Sequence, residues 1–426
     1  MSNIHEHTLS NGMTLLCWPQ RHLHSLAFGL YLKGGPLYEN EHTQGISNLL
    51  SHLCFRALGG LNREGLQREL NRLGTSMDAD VYDEGLVFRL KCLPRFFDAA
   101  LDLFLRFFAG TPWTPEQISA EKQVVLRQME AEGEDLFDEA ARLFRMTGSG
   151  AYPALGTEET LSALTEEDIT QWQQLIFQPQ NACFVMAGNF SDGMELAAVE
   201  ALEELKNHEA QAPFAQPLPI GFCMRDAQND LLGEAEGDFA AVQLSFDIDS
   251  DQVYPVAAEV LSTITGGNDD SMLFQALRED QALVAEIESQ IVRVGQFSRL
   301  VIRYDVRQDW LRDTLTKVFT YLHRLTMYVR PARLYQLRTQ FTTNNAMLTD
   351  DAPSLCERLG WAWMSGDNSQ ADLDAAAAQY SELTAEELLD AAQTVFRPEN
   401  LSMTIAYDSQ TVGDIVPLLD TLRKML

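Results

Sequence analysis

Apolar positions recur along this chain with two periods, and the switches between them mark its elements. Residues 44–60, QGISNLLSHLCFRALGG, place Ile46, Leu49, Leu50, Leu53 and Ala57 at i, i+3, i+4, i+7 and i+11. That spacing predicts one apolar face of an amphipathic helix, closed by Gly59 and Gly60. Upstream, residues 8–18 flank an Asn11-Gly12 turn with apolar residues, a hairpin signal, and residues 25–33 read as a buried strand. Downstream come a short helix over 66–73, strands over 74–83 and 85–92, and an amphipathic helix over 96–108. Thr114-Pro115-Glu116-Gln117 has the form of a capping box with proline at the first helical position. The helix it opens carries Glu121 and Gln128 two turns apart on one face, and an acidic helical continuation is expected over 130–145.

An internal repeat divides the chain. Residues 164–181, LTEEDITQWQQLIFQPQN, align with 383–400, LTAEELLDAAQTVFRPEN, at an offset of 219 residues with seven of 18 positions identical. Each copy offers a threonine N-cap with an acidic residue three positions on, and each F-x-P-x-N leads into an apolar strand. Two homologous halves follow. They are expected at 1–206 and 226–426, joined by a linker over 207–225 whose polar and proline-rich core spans 207–219. In the second half, 240–249 reads as a strand and 254–265 as a helix ending at Gly266-Gly267, with a further helix from Ser271. The helical pattern resumes over 310–325 and 332–345, and Trp361 and Trp363 read as core packing.

Charge narrows the partners. The 426 residues include 31 basic and 62 acidic side chains, for a net charge of -31. Such a surface disfavours nucleic acid and anionic membranes and favours a basic peptide or protein, solubility alone being the plainer explanation. Six dispersed cysteines at 17, 54, 92, 183, 223 and 356 form no C-x-x-C and read as buried thiols, so a cytoplasmic location is expected. The N-terminus lacks a basic start followed by an apolar core, and no run of 18 apolar residues predicts a membrane span.

The polar face of the 44–60 helix holds the candidate chemistry. Asn48, Ser51 and His52 stand where H-x-x-E-H would place two histidines and a glutamate. With Gly45, Leu50, His52 and Phe55 in register, the stretch resembles the insulinase, pitrilysin and mitochondrial processing peptidase superfamily. The resemblance extends to Glu121-x-x-Val124-x-x-x-Gln128 and to Gly266-Gly267-x-x-x-Ser271-x-Leu273-Phe274-x-x-Leu277-Arg278. It implies an α+β fold of two homologous domains, each a mainly antiparallel sheet packed against helices. It also implies zinc ligands at positions 48, 52 and 128 and a catalytic base at 51. This chain keeps His52 alone of these, with Asn48 and Gln128 at ligand positions and Ser51 at the base position. One imidazole and two amides make a weak site for zinc, and nothing nearby in sequence activates Ser51. No catalytic residue, metal or cofactor is therefore expected here. Glu121 is retained beside the degenerate ligand positions, and Arg278 is the candidate substrate contact. The tyrosine that partners that arginine in family peptidases is replaced by Ala285. Asn48, Ser51, His52 and Gln128 read either as a relic pocket contacting substrate or partner, or as ordinary polar residues between helices. Arg278 reads equally as a surface helix arginine.

Three functions fit these residues. The first is a non-catalytic subunit of a heterodimeric zinc peptidase, binding peptide substrate while zinc sits in a catalytic partner. Maturation of a peptide precursor is one such task within the family. The second is a structural or binding protein with no peptidase partner. The third is an active zinc endopeptidase with an unusual site, supported only by His52 and Glu121.

Overall fold

The computed structural model describes residues 4–132, 137, 153–207, 230–249, 252–294, 297–366 and 372–426. These fall into two compact units. One lies within Met1–Gly133, Thr147–Pro219 and Thr343–Ala377, the other within Glu134–Met146, Ile220–Thr342 and Ala378–Leu426. The expected acidic helical continuation beyond 132 and the expected linker lie almost wholly outside the described residues.

The first unit is built on a six-stranded sheet. Strands β1 (His5–Thr8) and β2 (Thr14–Pro19) form the predicted hairpin about Asn11-Gly12, with His7 opposite Leu15. β3 (Leu26–Lys33) follows, and its residues are buried almost throughout, as an all-apolar run demands of a central strand. Helix α1 (Ile46–Arg56) comes next. It stops one residue short of the predicted face. Ala57 turns extended and, with Leu58, forms β4 (Ala57–Leu58), which pairs with β5 (Leu61–Asn62) across a Gly59-Gly60 turn at positive φ. After α2 (Arg63–Leu73), β6 (Met77–Tyr82) and β7 (Gly85–Cys92) complete one edge. Helices α3 (Phe97–Leu105), α4 (Pro115–Glu132), α5 (Glu158–Ala163) and α6 (Glu166–Ile176) lead to β8 (Ala182–Gly188), followed by α7 (Asp192–Glu203). The strand order is β1-β2-β8-β3-β7-β6, and every neighbouring pair is antiparallel except β2 with β8.

The second unit repeats this design. Strands β9 (Leu231–Glu234), β10 (Phe239–Asp249), β11 (Val284–Val294), β12 (Phe297–Arg307) and β13 (Leu401–Tyr407) are ordered β11-β12-β10-β13-β9. Only β13 with β9 is parallel, at the position that β8 with β2 holds in the first sheet. The repeated sequence explains the match. Thr165 and Thr384 each complete a capping box, with Asp168 and Glu387, at the starts of α6 and of the helix Ala385–Val395. Asn181 and Asn400 then donate their side-chain amides to the last carbonyls of those helices, at Ile176 and Val395, turning the chain into β8 and β13. Five described cysteines, all but Cys223, are buried free thiols. Among the described residues no helix is long and apolar enough to cross a membrane.

Residues 343–377, which the sequence pattern assigns to the second half, pack in the first unit. The helix Ala352–Ser365 lies across the outer face of the first sheet, where Leu355, Cys356 and Leu359 join Trp18, Tyr31 and Val185 in a buried cluster. Trp361 meets Tyr82 edge-on at 4.6 Å between ring centroids, so the aromatic run is core packing, as expected. Gly360 allows the close approach: a Cβ there would stand about 2.0 Å from the ring of Tyr31. Replacing Gly360→Ala should therefore destabilise the first unit by about 1–3 kcal/mol, the usual cost of overpacking a filled core. Urea unfolding checks this by a lowered midpoint; an unchanged midpoint would show that the ring yields freely.

Candidate functional site

Helix α1 is held by its apolar face and its first turn before its polar face can act. Leu49, Leu50 and Leu53 are fully buried against the sheet, each stabilising by about 1.5–3 kcal/mol relative to exposure. The helix starts at Gly45, which admits no side chain: its φ is 82°, and a Cβ there would stand 2.4 Å from the Leu155 carbonyl oxygen. The carboxylate of Glu39 supplies the missing cap. Its two oxygens accept from the Gly45 N–H at 2.8 Å and the Ser47 N–H at 3.0 Å. Ser47 Oγ in turn accepts from the Gly35 N–H at 3.2 Å and the Trp172 indole at 3.0 Å. Glu39 is wholly buried, and this burial pushes its carboxyl up to about 7, against the pull of the Ser47 and Gly45 hydrogen bonds.

The polar face meets α4. His52 Nδ1 lies 3.5 Å from one oxygen of Glu121, and Arg56 Nε donates to the other. Glu121 is 5% exposed. Ser51, His52, Arg56, Arg63 and Glu121, with Phe55, Ala79 and Val124, line an open cleft of about 430 Å³. Ser51 Oγ donates to the Asn48 carbonyl at 2.8 Å, an ordinary bond back into its own helix. Asn48 keeps a buried side-chain nitrogen with no hydrogen-bond partner among the described residues. Gln128 is half-buried on α4, seven residues beyond Glu121 and so about 10 Å along the helix axis.

The structure thus brings Ser51, His52 and Glu121 to one cleft, with Asn48 one turn along α1. It adds Arg56 and Arg63, which sequence reasoning missed. Arg56 stands four residues after His52 and hence on the same helix face, a spacing that could have found it. A guanidinium bound to the cleft's one carboxylate, with a second on the wall, opposes a dication by charge. A serine hydroxyl engaged with a carbonyl of its own helix is not an activated nucleophile.

Arg278 belongs to the second unit. It sits in a π-helical turn, Phe274–Glu279, where an ordinary α-helix is the expectation, and its guanidinium lies 4.7 Å from the centroid of the Phe274 ring. The side chain is 45% exposed, with Glu279 at 3.8 Å, beside a cleft of about 420 Å³ that includes Gly267, Asn268 and Glu288. Ala285 is exposed on β11 where the pairing with β12 shifts register.

These two units match known proteins along most of their length. Residues 20–152 match the family model described as Insulinase (Peptidase family M16), and residues 163–341 match that of the Peptidase M16 inactive domain. An uncharacterized zinc protease of Rickettsia felis is 24% identical over 363 residues, covering 83% of this chain and 85% of its own. A protease from Helicobacter pylori superposes with a TM-score of 0.86 at 16% identity, over 96% of this chain and 100% of its own. A peptidase M16 inactive domain from Pseudomonas fluorescens superposes with a TM-score of 0.83 at 17% identity, over 95% and 98%. The chain belongs to the insulinase and pitrilysin (M16) peptidase superfamily and has its two-domain fold.

The buried Glu39 yields a test of how α1 is held. Its folded-state value, raised to about 7 from 4.5, means that the protonated form is favoured by folding. Its contribution is therefore fully present below about pH 4.5 and is lost as the pH rises through about 7. Stability measured by urea midpoint should fall over that window in the parent, and fall less in Glu39→Gln. Parallel pH profiles for the two proteins would contradict this.

Proposed function

We propose that this chain is the non-catalytic subunit of a two-subunit zinc peptidase, holding peptide for a catalytic partner that carries the zinc. The observation that carries this reading is the Arg56–Glu121 pair in the cleft where a catalytic member would assemble its metal. In this reading the cleft, with His52 the one imidazole among its lining residues, holds no zinc and performs no hydrolysis. The helix that carries it is firmly held, by the buried apolar face of α1, its Glu39 cap and its packing on α4, within the superfamily's two-domain fold. A frame retained without its chemistry suits a subunit that supplies surface instead of catalysis.

Two further features support that role. The net charge of -31 attracts a basic peptide and repels nucleic acid and anionic lipid. Met327, Tyr328 and Tyr335, at the junction of the helices Leu311–Met327 and Pro331–Met347, are 66%, 62% and 71% exposed. Exposed aromatic and methionine side chains so close in sequence suit a protein contact. Arg278 contacts the substrate in this reading, with Phe274 steadying its guanidinium. Precursor peptides are a suitable substrate class, the cytoplasm a suitable compartment.

Mixing the purified chain with a superfamily member from the same organism that carries intact H-x-x-E-H tests the proposal. The expected result is a complex at micromolar concentration that cleaves a basic peptide faster than the partner alone. Arg278→Ala should slow cleavage by the pair about threefold to tenfold, the range for losing one ordinary contact. Ser51→Ala should leave it nearly unchanged. A partner that cleaves equally well alone, with no complex formed, overturns the reading and leaves a binding protein without a peptidase partner.

A further inference from the structure

A cluster of side chains able to ligate a metal lies far along the sheet order from β6, at the β1 edge. His5 and His7 alternate with Glu6 on β1, so both imidazoles project to one side of the strand. Cys17 on β2 is the residue directly opposite His5. Helix α7 brings Glu195 over them, capped at its start by Ser191. His7 Nε2 lies 2.7 Å from Glu195 Oε1, and His5 Nδ1 lies 2.9 and 3.0 Å from the two oxygens of the same carboxylate. One ligand atom each from His7, Cys17 and Glu195 all fall within 4.8 Å of one another. Cys17 is fully buried and Glu195 is 7% exposed.

We propose that His7, Cys17 and Glu195 form a binding site for a zinc-type divalent cation, with His5 positioning the carboxylate. Nitrogen, sulfur and oxygen donors together suit a borderline-soft dication and not calcium or magnesium. Tetrahedral bonds of about 2.0–2.3 Å set donor atoms roughly 3.3–3.6 Å apart. The three atoms therefore reach that geometry by sub-ångström to ångström adjustments: the histidine–carboxylate contact opens and the thiol closes in. Charge balances as well, since a thiolate and a carboxylate neutralise the dication. The thiol releases its proton to solvent as the metal–sulfur bond forms. With three protein ligands, one position is left for water. His5 holds the carboxylate as an outer partner holds a ligand in other metal centres.

The consequence is mechanical. β1 is a four-residue edge strand paired, among the described residues, only with β2. A metal bridging β1, β2 and α7 clamps that strand to the body of the unit. The site is independent of the His52 cleft and of the proposed role in peptide processing, and the expectation of no metal rested on the helix motif alone.

Cobalt(II) titration of the chelator-stripped full chain tests the site, with absorption as the readout. One equivalent should bind and give a near-ultraviolet thiolate-to-cobalt charge-transfer band, displaced by one equivalent of zinc, and zinc should raise the Tm by several degrees. Cys17→Ser should abolish the band, and His7→Gln should weaken cobalt binding at least tenfold with the fold retained by circular dichroism. His52→Ala should leave both unchanged. Because the parent protein gives the first readout, the proposal does not depend on any variant folding. Absence of the band at one equivalent and about 10 µM protein, or a band that survives in Cys17→Ser, overturns it.

Discussion

The contact between Arg56 and Glu121 decides what the polar face of α1 can do. A buried carboxylate needs a counter-charge, and a guanidinium supplies it with directed hydrogen bonds. His52 shares the same carboxylate from its other side. The cleft's negative charge is thus committed within the protein. A metal entering there would have to displace the Arg56 guanidinium from Glu121 and would gain that carboxylate and one imidazole in return.

Everything around that contact serves to hold α1 in place. Glu39 caps the helix from a buried position, Ser47 ties its first turn to Gly35 and Trp172, and three leucines anchor it to the sheet. Such investment in positioning is typical of a catalytic helix, in which an error of an ångström is costly. Here it presents Ser51, His52 and Arg56 instead. In the proposed function this positioned face serves recognition, with hydrolysis left to the partner.

Much of this was legible in the sequence because it rests on local physics. The 3.6-residue period around Leu49 and Leu53 defines α1, and the Thr165 and Thr384 capping boxes define the repeated helices. The repeat then predicts two sheets of like topology, which share even the place of their parallel pair. Contacts distant in sequence were less accessible. Arg56 meets Glu121 across 65 residues, and Glu39 reads as one more acidic residue in a chain that has 62. The helix Ala352–Ser365 shows an apolar face but not which sheet it covers; the small residue Gly360, fitted against Tyr31, decides that only in three dimensions. The His5-x-His7 pair gains meaning only when β2 and α7 bring Cys17 and Glu195 beside it.

On the proposed reading, in which the catalytic metal belongs to a partner, this chain should be inert by itself. Cleavage of a basic peptide by the purified chain alone, with zinc added and after chelation, puts that directly to the test. No cleavage above the chelated blank is expected under either condition. Zinc-dependent turnover that disappears in His52→Ala would contradict it.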